Sequence, residues 1–185
     1  MSDLELVQAC IGKKRSAERL FFERFAGFTR ALCRRYAKDS MEAEDMHQIG
    51  FIKCFQNLNG FSNKGPLGGW VRRIFVHSCL DEIKKRRRIS HWISPIEGEL
   101  IEEKGTENQF ILEADAGELI LLISLLPEGS RSVFNLHAVE GMNHAEVGEI
   151  LGISESTSRV QLSRARAFLK NHLSEKRKLI STILQ

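Results

Sequence analysis

With 185 residues, 42% hydrophobic and 28% charged, the chain suits one ordinary domain or two small ones and is too apolar for a disordered tract. The longest apolar run, 119–126, is far too short to cross a bilayer, the acidic start lacks an apolar signal core, and Cys10, Cys33, Cys54 and Cys79 have no paired spacing, so membrane, secreted and collagen-like readings fall away and a reducing cytoplasm is expected. The net charge of +3 hides three blocks: 18 Lys+Arg against 10 Asp+Glu in 1–90, 1 against 9 in 91–130, and 8 against 5 in 131–185.

Apolar spacing of three and four dominates, and the three prolines, Pro66, Pro95 and Pro127, fall where that pattern breaks. The fold class is therefore all-α. Helices are expected from Leu4 to Ile11, from Ala17 to Tyr36, and from about Met41 to Leu58. The second turns Leu20, Phe21, Phe25, Phe28 and Leu32 to one side. The third carries Ala43, Met46, Ile49, Phe51, Ile52 and Phe55 as its apolar set. A Gly-, Asn-, Ser- and Pro-rich loop follows over 59–69. A fourth helix starts near Leu67 to Trp70, turns Val71, Ile74, Phe75, Ser78 and Cys79 inward, and ends in Lys84, Lys85, Arg86, Arg87 and Arg88. Cations at that end are favoured by the helix dipole whether or not they have a partner.

From about Ile89 to Asp115 the composition turns acidic, with Glu97, Glu99, Glu102, Glu103 and Glu107 beside Gly98 and Gly105, and reads as a flexible linker. Helical signal returns at 116–126 and at 130–139. The expected organisation is two small helical domains, 1–90 and 116–175, joined by the acidic linker 91–115 and followed by a tail, 176–185.

Two constellations carry the chemistry. His144 to Leu151 is a short helix, Gly152 sits where a left-handed residue is wanted, Ile153 plugs the angle, and Ser154 caps a helix from Glu155 to about Leu173. Ser158, Leu162, Ala165 and Leu169 share one face of that last helix. Ser156, Arg159, Val160, Ser163, Arg164 and Ala167 share the other. This is a helix-turn-helix whose second helix is small, polar and basic enough to enter a major groove. Ser156, Arg159, Val160 and Ser163 lie nearest base edges, Arg164 and Arg166 are placed for phosphates, and Thr157 belongs to the same DNA-binding set on this helix. The plain alternative is an αα-hairpin with a solvated face.

The other constellation spans 61–88. Ser62, Asn63 and Lys64 in the loop, Trp70, the pair Arg72 and Arg73, and the run Lys84 to Arg88 combine an aromatic with cations, as single-strand binding requires. Ser62 and Asn63 can hydrogen-bond a flipped base. The alternative for Phe61 and Trp70 is a place in the core. In the third helix, Glu42, Glu44, Asp45 and Gln48 make a carboxylate-and-amide face suited to a basic partner surface, or simply to the dipole of the helix start.

These pieces, in this order, resemble the bacterial sigma-70 family of transcription initiation factors, of the small extracytoplasmic-function (ECF) type. Ala43 to Gln48 followed by Phe51 and Ile52 resembles its region 2.2. Trp70 to Ile74 and Asp81 to Arg86 resemble regions 2.3 and 2.4. Leu125 to Pro127, Arg131 to Phe134, Glu146 to Ser154 and Leu162 to Arg166 resemble region 4. The resemblance implies that Asp45 and Gln48, with Glu42 and Phe51 beside them, meet the clamp helices of the polymerase β′ subunit. It implies that residues 61–88 capture the melted minus-ten element, and that the helix-turn-helix binds the duplex minus-thirty-five element and the β flap. Core RNA polymerase and promoter DNA are then the partners, with an anti-sigma factor as regulator, no cofactor and no membrane insertion. The pattern departs from the family at Ile49, where Glu is frequent, at His77, where Asn is frequent, and at Ser158, where Val is frequent.

Six dispersed histidines, and the lack of a phosphate-cradling glycine loop, nucleophile elbow or metal-ligand spacing, argue against an enzyme. The other functional reading is a stand-alone helix-turn-helix regulator with an N-terminal sensor or dimerisation domain.

Overall fold

The computed structural model describes the backbone of residues 1–90 and 116–183 and the side chains of 1–86 and 117–174. The linker, the ends of the tail, and the side chains of Arg87 and Arg88 lie outside the described residues. Those residues contain helices and turns and no strand. The chain divides into two units, Met1–Pro95 and Ile96–Gln185.

The first unit holds α1 (Asp3–Ile11), α2 (Arg15–Tyr36), α3 (Ser40–Asn57), a 3₁₀ turn (Leu58–Gly60) and α4 (Leu67–Ser90). Local chemistry sets the starts. Ser2 and Glu5 form a capping box on α1, and Asp39 accepts the backbone N–H of Glu42 at the start of α3. Helices α2, α3 and α4 pack around Phe21, Phe25, Leu32, Met46, Phe51, Leu67, Val71 and Phe75, all almost fully buried. Phe51 stands edge-on to Phe75, with ring centroids 5.2 Å apart. Gly50 lets that happen: a Cβ there would lie 2.3 Å from Cε1 of Phe75.

Several apolar positions do not face the core as the periodicity expects. Leu20, Phe28 and Ile52 are 42%, 39% and 54% exposed. Burial of one stripe per helix already fills the space between three helices, so apolar residues beyond it are left at the surface.

The second unit holds α5 (Ala116–Leu125), α6 (Glu128–Phe134), which runs on into a five-residue π-helical segment (Asn135–Val139), α7 (His144–Leu151) and α8 (Glu155–Ile183). Asn143 and Glu146 form a capping box on α7, Gly152 takes φ +68°, and the Ser154 hydroxyl accepts the N–H of Thr157 at 3.0 Å. Gly152 and Ser154 are the turn and cap positions expected from the sequence. Helix α8 continues well past Leu173, because nothing between Leu173 and Ile183 breaks a helix: that stretch has no glycine or proline. Its buried face is Ser158, Leu162, Ala165 and Leu169, joined by Leu173.

Candidate nucleic-acid interface

Three exposed rows follow from these helices. The first is on α3. Met41, Asp45, Gln48 and Ile52 recur at intervals of four, three and four and so form one stripe, and all four are exposed, Met41 at 77% and Ile52 at 54%. A carboxylate and an amide are thus flanked by two solvent-facing apolar side chains. Glu42 sits off this row. Its carboxylate accepts the backbone N–H of Lys38 at 2.6 Å and is paired with the Arg86 guanidinium. A cleft of about 240 Å³ between α3 and the end of α4 is lined by Glu42, Asp45, Met46, Ile49, Glu82, Lys85 and Arg86. Phe51 is not on the surface at all. It is 6% exposed and packed among Phe21, Phe22, His47 and Phe75, so it lies beneath the stripe and not on the surface where the sequence reading put it.

The second row is on α4 and the loop before it. Ser62, Asn63 and Lys64 are exposed, and Asn63 takes φ +54°, a left-handed conformation that Asn tolerates better than most residues. Trp70 is half-buried, edge-on to Phe61 at 5.9 Å, so it is partly core and partly surface. Trp70, Arg73, His77, Asp81 and Lys84 recur at helical spacing along one side. Arg73, His77, Asp81 and Lys84 are exposed, and Asp81 holds Lys53 at 2.8 Å. Arg72 is half-buried and lies off this row, as does Lys85, which is exposed and 3.9 Å from Glu82. The two ends of the basic set are not one cluster. Arg73 and Lys84 are eleven residues apart, roughly 16 Å along the helix.

The third row is on α8. Arg159, Arg166 and Lys170 are exposed along one side, and Arg159 is ion-paired with Glu155. Ser156 and Thr157 are exposed, each with its hydroxyl 2.8 Å from that of Ser154. Val160, Ser163 and Arg164 are half-buried. The unusual Ser158 has a partner that the sequence pattern did not reveal: its hydroxyl is 2.9 Å from Nδ1 of His144, and the His144 ring stacks on His137 at 4.2 Å. Burial, reinforced by His137 and Arg159, holds His144 below the ordinary histidine range.

Among the described residues, no group of three or more His, Cys, Asp or Glu side chains is arranged to hold a metal ion. All four cysteines are buried, and burial pushes the Cys54 thiol up to about 12. No described helix is long and apolar enough to cross a membrane.

The family model for sigma-70 region 2 matches residues 21–89, and that for sigma-70 region 4 matches residues 116–169. The chain belongs to the sigma-70 family. It is 27% identical over 146 residues to the ECF RNA polymerase sigma factor SigE of Mycolicibacterium smegmatis, covering 78% of this chain and 56% of that protein. It is 27% identical over 168 residues to the ECF RNA polymerase sigma factor SigM of Mycobacterium tuberculosis, covering 91% and 83%. The chain therefore spans little more than half of the first relative and most of the second. Among solved structures, the sigma factor RpoE of Bartonella quintana, in complex with the anti-sigma factor NepR, superposes with a TM-score of 0.50 at 20% identity. That match covers 84% of this chain and 96% of the other. The sigma-70 region 2 match takes in the α3 stripe, the 61–66 loop and nearly all of α4, and begins beyond α1. The region 4 match takes in α5 to α7 and the first half of α8. Four exposed residues were not among the candidates drawn from the sequence: Met41 and Ile52 beside Asp45, His77 in the α4 row, and Lys170 beyond Arg166. Each follows from helical spacing once the inward face of its helix is known.

Proposed function

We propose that this chain is the promoter-specificity subunit of a bacterial RNA polymerase: it binds the core enzyme, directs it to promoters, and catalyses nothing itself. The observation that carries the reading is that both family models match one chain in sigma-factor order, each over a unit with its own exposed cationic row.

The physical roles follow from the three rows. The α3 stripe of Met41, Asp45, Gln48 and Ile52 docks on the β′ clamp helices, with the amide and carboxylate meeting polar groups and the two apolar ends giving contact area. Glu42 supports this face through Arg86, and Phe51 supports it from beneath. On melted DNA, Ser62, Asn63 and Lys64 hold a flipped base. Trp70 stacks, and Arg72, Arg73, His77 and the cations from Lys84 to Arg88 follow the strand. On duplex DNA, α8 enters the major groove with Ser156, Thr157, Arg159, Val160 and Ser163 nearest base edges and Arg164, Arg166 and Lys170 toward phosphates. The domains are assigned as 1–90 for core and minus-ten binding, 116–175 for minus-thirty-five and β-flap binding, with 91–115 as linker and 176–185 as tail. The site of action is the cytoplasm, and an anti-sigma factor is the expected regulator, as the Bartonella relative was solved with one. Either DNA contact alone is weak. Tethering both to one polymerase multiplies them through effective concentration.

The test is reconstituted transcription with core polymerase and fragmented genomic DNA, mapping start sites. Discrete starts that require the protein and vanish with Asp45→Arg are expected. No starts, together with tight sequence-specific duplex binding by the protein alone, would replace this reading with a stand-alone regulator.

A further inference from the structure

The 61–66 loop is held at both ends by a helix that the region 2 match leaves out. Helix α1 packs against the 3₁₀ turn that leads into the loop, where Phe61 donates its N–H to the Leu58 carbonyl at 3.1 Å. At the loop's exit, Leu67 opens α4, and its backbone N–H is one of the donors that a helix start leaves without an intrahelical acceptor. The residue before it is Pro66, whose side chain has no oxygen to accept that proton. The acceptor comes from α1: Oδ2 of Asp3, 64 residues away in sequence, takes the Leu67 N–H at 2.9 Å. Oδ1 of the same carboxylate is 2.7 Å from the Arg24 guanidinium on α2, so the group is fixed from two sides. The backbone hydrogen bond from Leu67, with Arg24 beside it, holds the Asp3 carboxyl below the usual carboxylate range. Leu67 itself is fully buried, so this anchor ties the loop's end to the core.

We propose that Asp3 is a positioning residue for base reading: from α1 it caps α4 and fixes the exit of the loop that carries Ser62, Asn63 and Lys64. The inference rests on the reading of that loop as the minus-ten reader. A six-residue loop whose two ends are pinned has few conformations left, and a base held by short polar side chains requires that economy. With the cap removed, the first turn of α4 frays. The loop then samples more positions and the bound base loses discrimination, while the α3 stripe and α8 are untouched.

The experiment compares wild type, Asp3→Ala and Asp3→Asn as full chains in reconstituted holoenzyme. The probes are single-stranded oligonucleotides from a mapped promoter, carrying each base in turn at every position of the upstream melted element. Asp3→Ala is expected to lose about ten-fold in discrimination at one position, the worth of a single hydrogen bond to a charged group, with core affinity and duplex affinity unchanged. Asp3→Asn keeps an amide oxygen for Leu67 and is expected to retain most of the discrimination. Wild-type discrimination in Asp3→Ala, or an even loss at every position, would overturn the proposal. Hydrogen exchange on the free chain reads the anchor directly: a Leu67 amide that exchanges no faster in Asp3→Ala would also overturn it, even if that variant assembles poorly. Failure of the wild-type holoenzyme to start transcription is seen before any variant is made and would remove the functional reading and this inference together.

Discussion

Two histidines show how a single side chain answers to its surroundings. His47 is 2% exposed, 3.1 Å from the Thr29 hydroxyl and ringed by Phe22, Phe51 and Phe75, with Arg30 and Glu44 as the charges nearest it. Burial, then Arg30, lowers its pKa from 6.5. His144 is lowered for the same first reason, and His137, Arg159 and Arg166 act in the same direction against Glu155. In both cases the folded chain favours the neutral ring, whereas the unfolded chain takes up a proton near pH 6.5. Their contribution to stability is therefore complete above pH 6.5 and is lost as the pH falls through the lower, folded-state values. Denaturant unfolding followed by helical circular dichroism is expected to show lower midpoints at pH 5.5 than at pH 7.5, and His47→Gln is expected to shrink that difference. A difference unchanged by His47→Gln would show that other groups carry it.

The pairing of α3 with α4 depends on Gly50. Because its missing Cβ would lie within 2.3 Å of the fully buried Phe75 ring, Gly50→Ala forces the two helices apart or the ring out of place. A cost of about 1–3 kcal/mol is expected, measured by denaturant unfolding. Phe75→Leu in the same chain should return part of it, since the smaller side chain leaves room for the methyl. Helices themselves were largely legible in the sequence. Gly152 and Ser154 act through their nearest neighbours, so the turn between the two helices could be placed to the residue, whereas the far end of α8 could not. The contacts between helices were not. Nothing local marks Asp3 as the cap of a helix 64 residues on, Ser158 as the partner of His144, or the π-helical segment after Phe134. Ile52 fits an apolar pattern and still faces outward, because a sequence pattern does not say how much of a stripe a neighbouring helix will cover. The candidate site was legible in the same way: charged residue types mark exposed positions such as Asp45, Arg73 and Arg159, whereas the apolar Phe51, placed beside Asp45 and Gln48, is buried.

Across the whole chain, charge is segregated into basic, acidic and basic blocks. An acidic segment between two basic blocks of sequence can compete with DNA phosphates for the same side chains, and such competition fades over a Debye length of about 8 Å at physiological salt. Replacing Glu97, Glu99, Glu102, Glu103 and Glu107 with Gln is expected to raise nonspecific duplex binding several-fold at low salt and to leave it unchanged at high salt. Equal binding at low salt would show that the linker does not screen the basic rows. The four cysteines matter at this scale too. Each is buried, and the Cys54 and Cys79 thiols are pushed well up from their usual range, Cys79 by its hydrogen bond to Cys33 as well as by burial. Thiolate is the form that reacts with maleimides, and with all four sulfurs buried the native chain is expected to take up such dyes slowly. One new cysteine on an exposed position of each unit, at Asn57 and Asn171 for instance, would then accept a fluorophore pair with the native sulfurs left in place. The distance between the two units becomes a colour ratio, readable on single molecules with and without added DNA.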